Sequence, residues 1–132
     1  MKYTIPSGFI IGVASIDEEH QAILTEINRI KKTTLSATPD SLKLSLSGIC
    51  EMLKSHFANE EAFMAEIGFP EMEAHAREHG ELLERVKAVQ KTDPADIVGQ
   101  IHSFLDAAFQ DMGRSDIYLR EFMESGEACF LR

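Results

Sequence analysis

Residues 41–70 read SLKLSLSGICEMLKSHFANEEAFMAEIGFP. Apolar side chains recur in this stretch every three or four residues, which is the spacing of the buried face of an α-helix. Gly68 and Pro70 then end the pattern, because glycine readily closes a helix in the left-handed conformation and proline cannot continue one. The spacing therefore predicts a long helix that Pro39 opens and Ile67 ends.

The same period recurs on both sides of this helix and predicts three more helices. The first follows a capping box in which Ser15 is the N-cap and Glu18 reaches back, and its buried face runs through residues 16–30. The third extends from about residue 71 to 91. A turn around Asp93 leads into the fourth. The predicted inward stripe of the fourth helix consists of Ile97, Ile101, Phe104, Ala108, Ser115, Tyr118 and Phe122.

The fold class follows from the short breaks between these helices and from the absence of any strand pattern. Short connections make neighbouring helices antiparallel, which predicts an all-α, up-down-up-down four-helix bundle. Residues 1 to about 14 lack a helical period and are expected to form an extended N-terminal arm. With 132 residues, 44% hydrophobic and 27% charged, the chain is interpreted as a single domain over residues 1–132.

Composition and charge exclude several classes of function. A formal net charge of −9 argues against a nucleic-acid partner, because phosphate binding needs clustered Lys and Arg. The longest apolar run, residues 8–14, is far shorter than the ~20 residues that span a bilayer. No secretory signal is visible, and Cys50 and Cys129 form no C-x-x-C pair. We therefore expect a cytoplasmic protein that binds neither nucleic acid nor membrane.

Five polar side chains interrupt the apolar faces at helical spacing. His56 and Glu60 are four residues apart, as are His75 and His79, so each pair projects from one side of its helix, ~6 Å apart along the axis. His20 lies on the apolar face of the first helix. Imidazole and carboxylate groups buried together are costly unless something satisfies them. The pattern predicts a metal site, with iron, zinc, manganese or copper compatible with these ligands.

The chain resembles the hemerythrins, specifically the single-domain bacterial members. The resemblance lies in Ile16-Asp17-Glu18-Glu19-His20, His56-Phe57-Ala58-Asn59-Glu60-Glu61 with Met64, Gly68-Phe69-Pro70 and His75-x-x-x-His79. It implies a bundle with two non-heme iron ions that binds O2 reversibly at one of them. By this resemblance His20 and His56 hold one iron, His75 and His79 hold the other, and Glu60 bridges the two.

The fourth helix departs from the family pattern, which ends with a histidine followed five residues later by a bridging aspartate. The fifth histidine of this chain, His102, has Ala107 at that distance. Counted from the turn at Asp93, His102 also lies about two helical turns from the level of the other histidines. His102 is therefore not predicted to be a ligand.

Asp111 and Asp116 are the predicted replacements on the fourth helix. Asp111 is as far after the turn as His75 is before it, so antiparallel helices bring the two to one level, and Asp116 follows five residues later. Two cations also need an anionic bridge. A shift of one residue would place Gln110 and Ser115 at this level instead, and the sequence leaves this alternative open.

An aspartate in place of histidine affects the expected chemistry. A hard anionic ligand favours Fe(III) and lowers the reduction potential of the second iron. Three functions therefore stay open: binding or sensing of O2, an oxidase- or peroxidase-type activity, and a zinc-bound or metal-free interaction module. The residues favour binding over turnover, and any signalling would require a separate protein partner.

Overall fold

The computed structural model describes residues 13–34, 36–91, 93 and 95–125, apart from the side chains of residues 114–116. It contains four helices: α1 (Ala14–Thr33), α2 (Pro39–Ile67), α3 (Met72–Gln90) and α4 (Ile97–Glu124). Each helix packs against the next along the chain, and α4 packs against α1. The predicted four-helix bundle is confirmed. Residues 1–12, most of the expected arm, lie outside the described residues.

The start of α1 differs from the predicted capping box. The helix begins at Ala14, and its N-cap is the extended residue Val13, which makes no side-chain capping bond. The carbonyl of Val13 already accepts from the amide of Asp17 at 2.9 Å, so Ser15 lies within the first turn. The predicted N-cap was wrong. The carboxylate of Asp17 lies instead near the positive end of the helix dipole.

Both ends of α2 agree with the sequence prediction. Pro39 is in the first turn, where its missing N–H costs no helical bond, and Thr38 Oγ1 accepts from the Ser41 amide at 3.1 Å. At the other end Gly68 has a φ of 75°. The amide of Phe69 donates to the Met64 carbonyl at 2.9 Å, a Schellman closure that turns the chain towards α3.

Two apolar clusters fill the bundle. The larger core contains buried side chains from all four helices, among them Ile23, Ile27, Leu46, Leu53, Leu82, Val86, Phe104, Leu105, Ala108 and Met112. The smaller core consists of Ile16, Met64, Ile67, Phe69 and Leu119. The two cores occupy different levels along the helices and bracket the segments that carry the predicted ligands.

The inward stripe of α4 differs from the predicted one near its C-terminal end. Tyr118, predicted to face inward, is 48% exposed, whereas Leu119 is 1% exposed. Leu119 is seven residues after Met112, or about two helical turns, so it continues the same buried face. Phe122 is partly buried against the smaller core. The side chain of Ser115 lies outside the described residues.

Within the described part of the chain, no helix combines the length and the hydrophobicity that crossing a bilayer requires.

Two glycine substitutions on α2 are expected to have opposite effects. Gly68→Ala should lower the free energy of unfolding by about 1–2 kcal/mol, because a Cβ is disfavoured in the left-handed conformation. Gly48→Ala should raise it by about 0.5–1 kcal/mol, since the added Cβ within the helix meets no atom within 4 Å. Urea denaturation followed by circular dichroism measures both, and effects of the same sign would contradict the assigned closure.

Candidate metal centre

A layer of buried polar side chains separates the two apolar cores. On α1, His20 lies between Ile16 of the smaller core and Ile23 of the larger core. The other three helices cross the same layer with polar side chains of their own. The buried members are His20, His56, Glu60, His75, His79 and Asp111. The register of the helices thus brings six of the seven predicted ligands into the middle of the bundle.

Three donors from α1 and α2 converge in this layer. His20 Nε2 lies 3.0 Å from His56 Nε2, and Glu60 Oε2 lies 3.1 Å from His56 Nε2 and 3.4 Å from His20 Nε2. All three side chains are at most 2% exposed. Two ring nitrogens this close must share a proton or direct both lone pairs at a cation. This group has the ligand types and the spacing for a metal ion.

The second oxygen of Glu60 faces α3. Glu60 Oε1 lies 3.5 Å from His79 Nε2, and Asp111 Oδ2 lies 3.9 Å from that same nitrogen. His75 is buried one turn before His79, with the two ring centroids 6.4 Å apart. Its Nε2 also lies 4.0 Å from Glu71 Oε2. Glu60 therefore stands between two groups of histidines, with one oxygen towards each.

Two partly buried carboxylates hold the outer nitrogens of the histidine rings. His56 Nδ1 donates to Glu19 Oε1 at 3.0 Å, and His79 Nδ1 donates to Glu61 Oε2 at 2.9 Å. Asn59 Nδ2 also donates to Glu19, at 2.6 Å. Because an ionised carboxylate only accepts hydrogen bonds, these contacts place the ring proton on Nδ1. In a ring protonated on Nδ1 alone, the Nε2 lone pair faces the interior, as in histidines that bind metals.

The ring of His79 is further fixed by stacking. The Phe57 ring lies parallel to it, with centroids 3.9 Å apart and planes within 3°. Nε2 of His79 is buried and makes no hydrogen bond to any of the described residues. A buried nitrogen without such a bond is unusual. Here it lies close to two carboxylate oxygens, an arrangement that a cation would satisfy.

The pKa values of Glu60 and His79 reflect this environment. Burial raises the pKa of Glu60, but its contacts with His20, His56 and His79 outweigh burial and leave the pKa well below its ordinary value. Burial lowers the pKa of His79, but Glu60 and Glu61, with the charge of Asp111, raise it overall. The polar layer thus favours an ionised carboxylate and a positive charge beside it.

On α4 the structure brings Asp111, rather than Gln110, to the level of His79. Asp111 is 8% exposed, whereas Gln110 is exposed. The side chains of Asp116 and Ser115 lie outside the described residues. His102 accompanies none of these groups: its Nε2 lies 3.0 Å from Thr34 Oγ1, at the end of α1.

Sequence reasoning assigned no role to Glu19, Glu61 or Phe57. Each directly follows or precedes a predicted ligand along the chain, so it lies about 100° away from the buried stripe. The indication of their role in the sequence was their position next to a predicted ligand. Each of the three contacts a histidine on a neighbouring helix, and that contact exists only in the folded bundle.

The fold and the polar layer define a four-helix bundle with a centre of histidine and carboxylate side chains in its core. The chain belongs to the hemerythrin family, described as the hemerythrin HHE cation-binding domain, whose pattern matches residues 11–125.

Three relatives align with parts of the chain. A bacteriohemerythrin of Stenotrophomonas maltophilia is 32% identical over 58% of this chain and 50% of its own length. A bacteriohemerythrin of Methylococcus capsulatus is 25% identical over 63% of each. A myohemerythrin of Riftia pachyptila is 24% identical over 67% of this chain and 74% of its own length. The chain thus spans between half and two thirds of the two bacterial relatives. No solved structure matches it.

Removing the Glu60 carboxylate is expected to destabilise the metal-free protein. Glu60→Ala leaves buried histidines without their anionic partner, which should lower the free energy of unfolding by about 3–5 kcal/mol. Glu66→Ala, at an exposed position on the same helix, should change it by less than about 0.5 kcal/mol. Urea denaturation in the presence of a chelator measures both, and a loss below 1 kcal/mol, on the order of a surface change, would contradict the pairing.

The difference between wild-type protein and Glu60→Ala should depend on pH. Because the folded pKa of Glu60 is lowered, its contribution is complete above the ordinary value of 4.5 and is lost as pH falls through the folded pKa. Because the folded pKa of His79 is raised, its contribution is complete below 6.5 and is lost as pH rises through the folded pKa. The difference should therefore be greatest between these two values, and the same difference at about pH 5.5 and pH 8 would refute the coupling.

Proposed function

We propose that this chain is a non-heme di-iron protein that binds O2, or a related small ligand, at an iron ion in the polar layer. One observation carries the proposal: the Nε2 atoms of His56 and His79 point towards opposite oxygens of one buried carboxylate, Glu60. Membership of a cation-binding family supports it, as do relatives named bacteriohemerythrin and myohemerythrin. A cytoplasmic location and the absence of nucleic-acid or membrane partners remain part of the proposal.

In this proposal the ligands divide into two groups that share Glu60. His20 and His56 hold one iron, and their close approach to Glu60 Oε2 supports that assignment. His75 and His79 hold the other, with Asp111 beside His79 and Asp116 as a second bridging carboxylate. Iron in such a centre supplies electrons to O2 and a coordination position for it. The chain supplies rings whose orientation Glu19 and Glu61 fix in advance.

Iron is favoured over zinc by the mixture of donors. A structural zinc site usually closes with four ligands around one ion, whereas here a carboxylate lies between two histidine groups, with further carboxylates beside it. Carboxylate and histidine side chains from facing helices form the di-iron sites of helix bundles. The zinc-bound or metal-free interaction module remains the alternative that metal analysis tests.

Metal content and the optical spectrum test this proposal directly. Protein expressed with added iron and purified in air should contain about two irons per chain and show the near-ultraviolet absorption of a bridged di-iron(III) centre. His79→Ala should lose about half of the iron, because only the second group is damaged. His102→Ala is the matched control, since this histidine contacts Thr34 outside the layer, and it should retain the wild-type content. Zinc, or no metal, in the wild-type protein would refute the proposal.

A second candidate function is consumption of O2 or peroxide. It is favoured by Asp111, whose carboxylate lies 3.9 Å from His79 Nε2 at the level where the family pattern carries a histidine. An anionic ligand stabilises Fe(III), which makes release of intact O2 less favourable. Aspartate is also shorter than histidine and leaves space for water beside the second iron.

Asp111→His separates the two candidates. The neutral ligand should raise the reduction potential of the second iron and lengthen the lifetime of a reversible O2 complex. Anaerobically reduced protein mixed with O2 and then deoxygenated measures this lifetime. Asp111→Asn is the control that removes the charge without adding an imidazole. A stable and reversible complex in the wild-type protein would contradict the oxidase- or peroxidase-type alternative.

A further inference from the structure

A polar cleft lies between α3 and α4, beside the second histidine group. It has a volume of about 490 Å³, and its walls include Glu78, Glu81 and Arg85 from α3 and Gln110 and Asp111 from α4. A smaller cavity of about 240 Å³ lies further along the seam and is lined by His75. Glu78 borders both cavities, so the two indentations lie next to each other along the α3–α4 seam.

Asp111 connects this cleft with the polar layer. Its carboxylate lines the cleft, and Oδ2 lies 3.9 Å from His79 Nε2. That nitrogen is buried and makes no hydrogen bond to a described residue. His79 itself does not line the cleft, so Asp111 is the side chain that lies between the cleft and this nitrogen. No side chain of the first group lines the cleft: His20, His56 and Glu60 are absent from its walls.

The charges in the cleft favour a cation. Three carboxylates, those of Glu78, Glu81 and Asp111, face one guanidinium, that of Arg85, so the formal charge is −2. Arg85 is six residues from His79, or about 9 Å along the helix, and its Nη2 donates to Ser103 Oγ at 3.3 Å. Glu78 and Glu81 are one and two residues from His79, so the negative charge lies nearer than Arg85 to the level of His79 along the helix axis. A cleft with an excess of one sign of charge raises the local concentration and the association rate of ions of opposite sign.

We propose that this cleft is the route by which hydrated divalent cations load the centre, with Glu78 and Glu81 as transient carboxylate partners outside Asp111. The inference rests on the proposed metal centre. Carboxylate oxygens bind a hydrated divalent cation weakly through its water molecules, which suits transfer rather than storage. Charged walls do not attract O2, which is uncharged, and they repel anions. The cation is therefore the occupant that the cleft fits.

Stopped-flow loading of the metal-free protein with Co²⁺ alone tests this route, with visible absorption of the bound ion as the signal. At an ionic strength of about 0.01 M, where screening is weak, the double variant Glu78→Gln/Glu81→Gln should load about tenfold more slowly than the wild-type protein. Arg85→Gln should load faster, because it removes the opposing charge. Both should bind the same final amount of Co²⁺, since neither changes a proposed ligand.

The matched control is Glu51→Gln/Glu66→Gln, which makes the same change in net charge at exposed positions on α2. It should load within about twofold of the wild-type rate, and about 1 M salt should remove the difference between the cleft variant and the wild type.

Equal slowing of the control and the cleft variant would overturn the route, as would wild-type rates in both cleft variants. In either case unchanged Co²⁺ content would leave the metal centre intact. If the wild-type protein bound no Co²⁺, the proposed centre itself would fail.

Discussion

The burial of one carboxylate among histidines is the constraint on which the rest of this structure depends. Glu60 is 2% exposed and contacts His20, His56 and His79, which come from three different helices. An ionised group in an apolar interior costs several kcal/mol, on the order of a domain's whole stability, unless partners compensate it. These partners are present only when α1, α2 and α3 are in one register. The polar layer thus demands the same helix alignment that the two apolar cores favour.

The polar layer lies between two apolar cores that stabilise opposite ends of the bundle. The larger core contains buried side chains from every helix and joins all four of them. The smaller core is completed by the Schellman closure at Gly68, which brings Phe69 beside Met64. Between them, a bound cation would stabilise only the folded state, because the unfolded chain does not assemble the donors. Binding of a cation in the polar layer would therefore be coupled to folding.

The sequence predicted the helices, the closure at Gly68 and the layer, because these depend on spacing within one helix. The sequence was a poorer guide to which of two adjacent residues on α4 faces the interior. Leu119 replaces Tyr118 on the buried face, and Asp111 rather than Gln110 lies beside His79. Each residue turns a helix by about 100°, so the register of α4 after its turn decides both positions. The contacts of Glu19 and Glu61 depend on distances between helices, and the spacing of residues within one helix does not predict those distances.

The proposed departure of α4 from the family pattern and the α3–α4 cleft lie at the same place. Asp111, the proposed replacement for a histidine of that pattern, also forms part of the wall of the α3–α4 cleft. The anionic side chain adds a negative charge beside His79, and Asp111, at 8% exposure, is nearer to solvent than His20 and His56, at 1% each. The two halves of the proposed centre therefore differ in charge and in the exposure of their side chains. In the proposed centre, chemistry that differs from reversible O2 binding would belong to the half at His79 and Asp111, because Asp111 is both the proposed replacement ligand and part of the cleft wall.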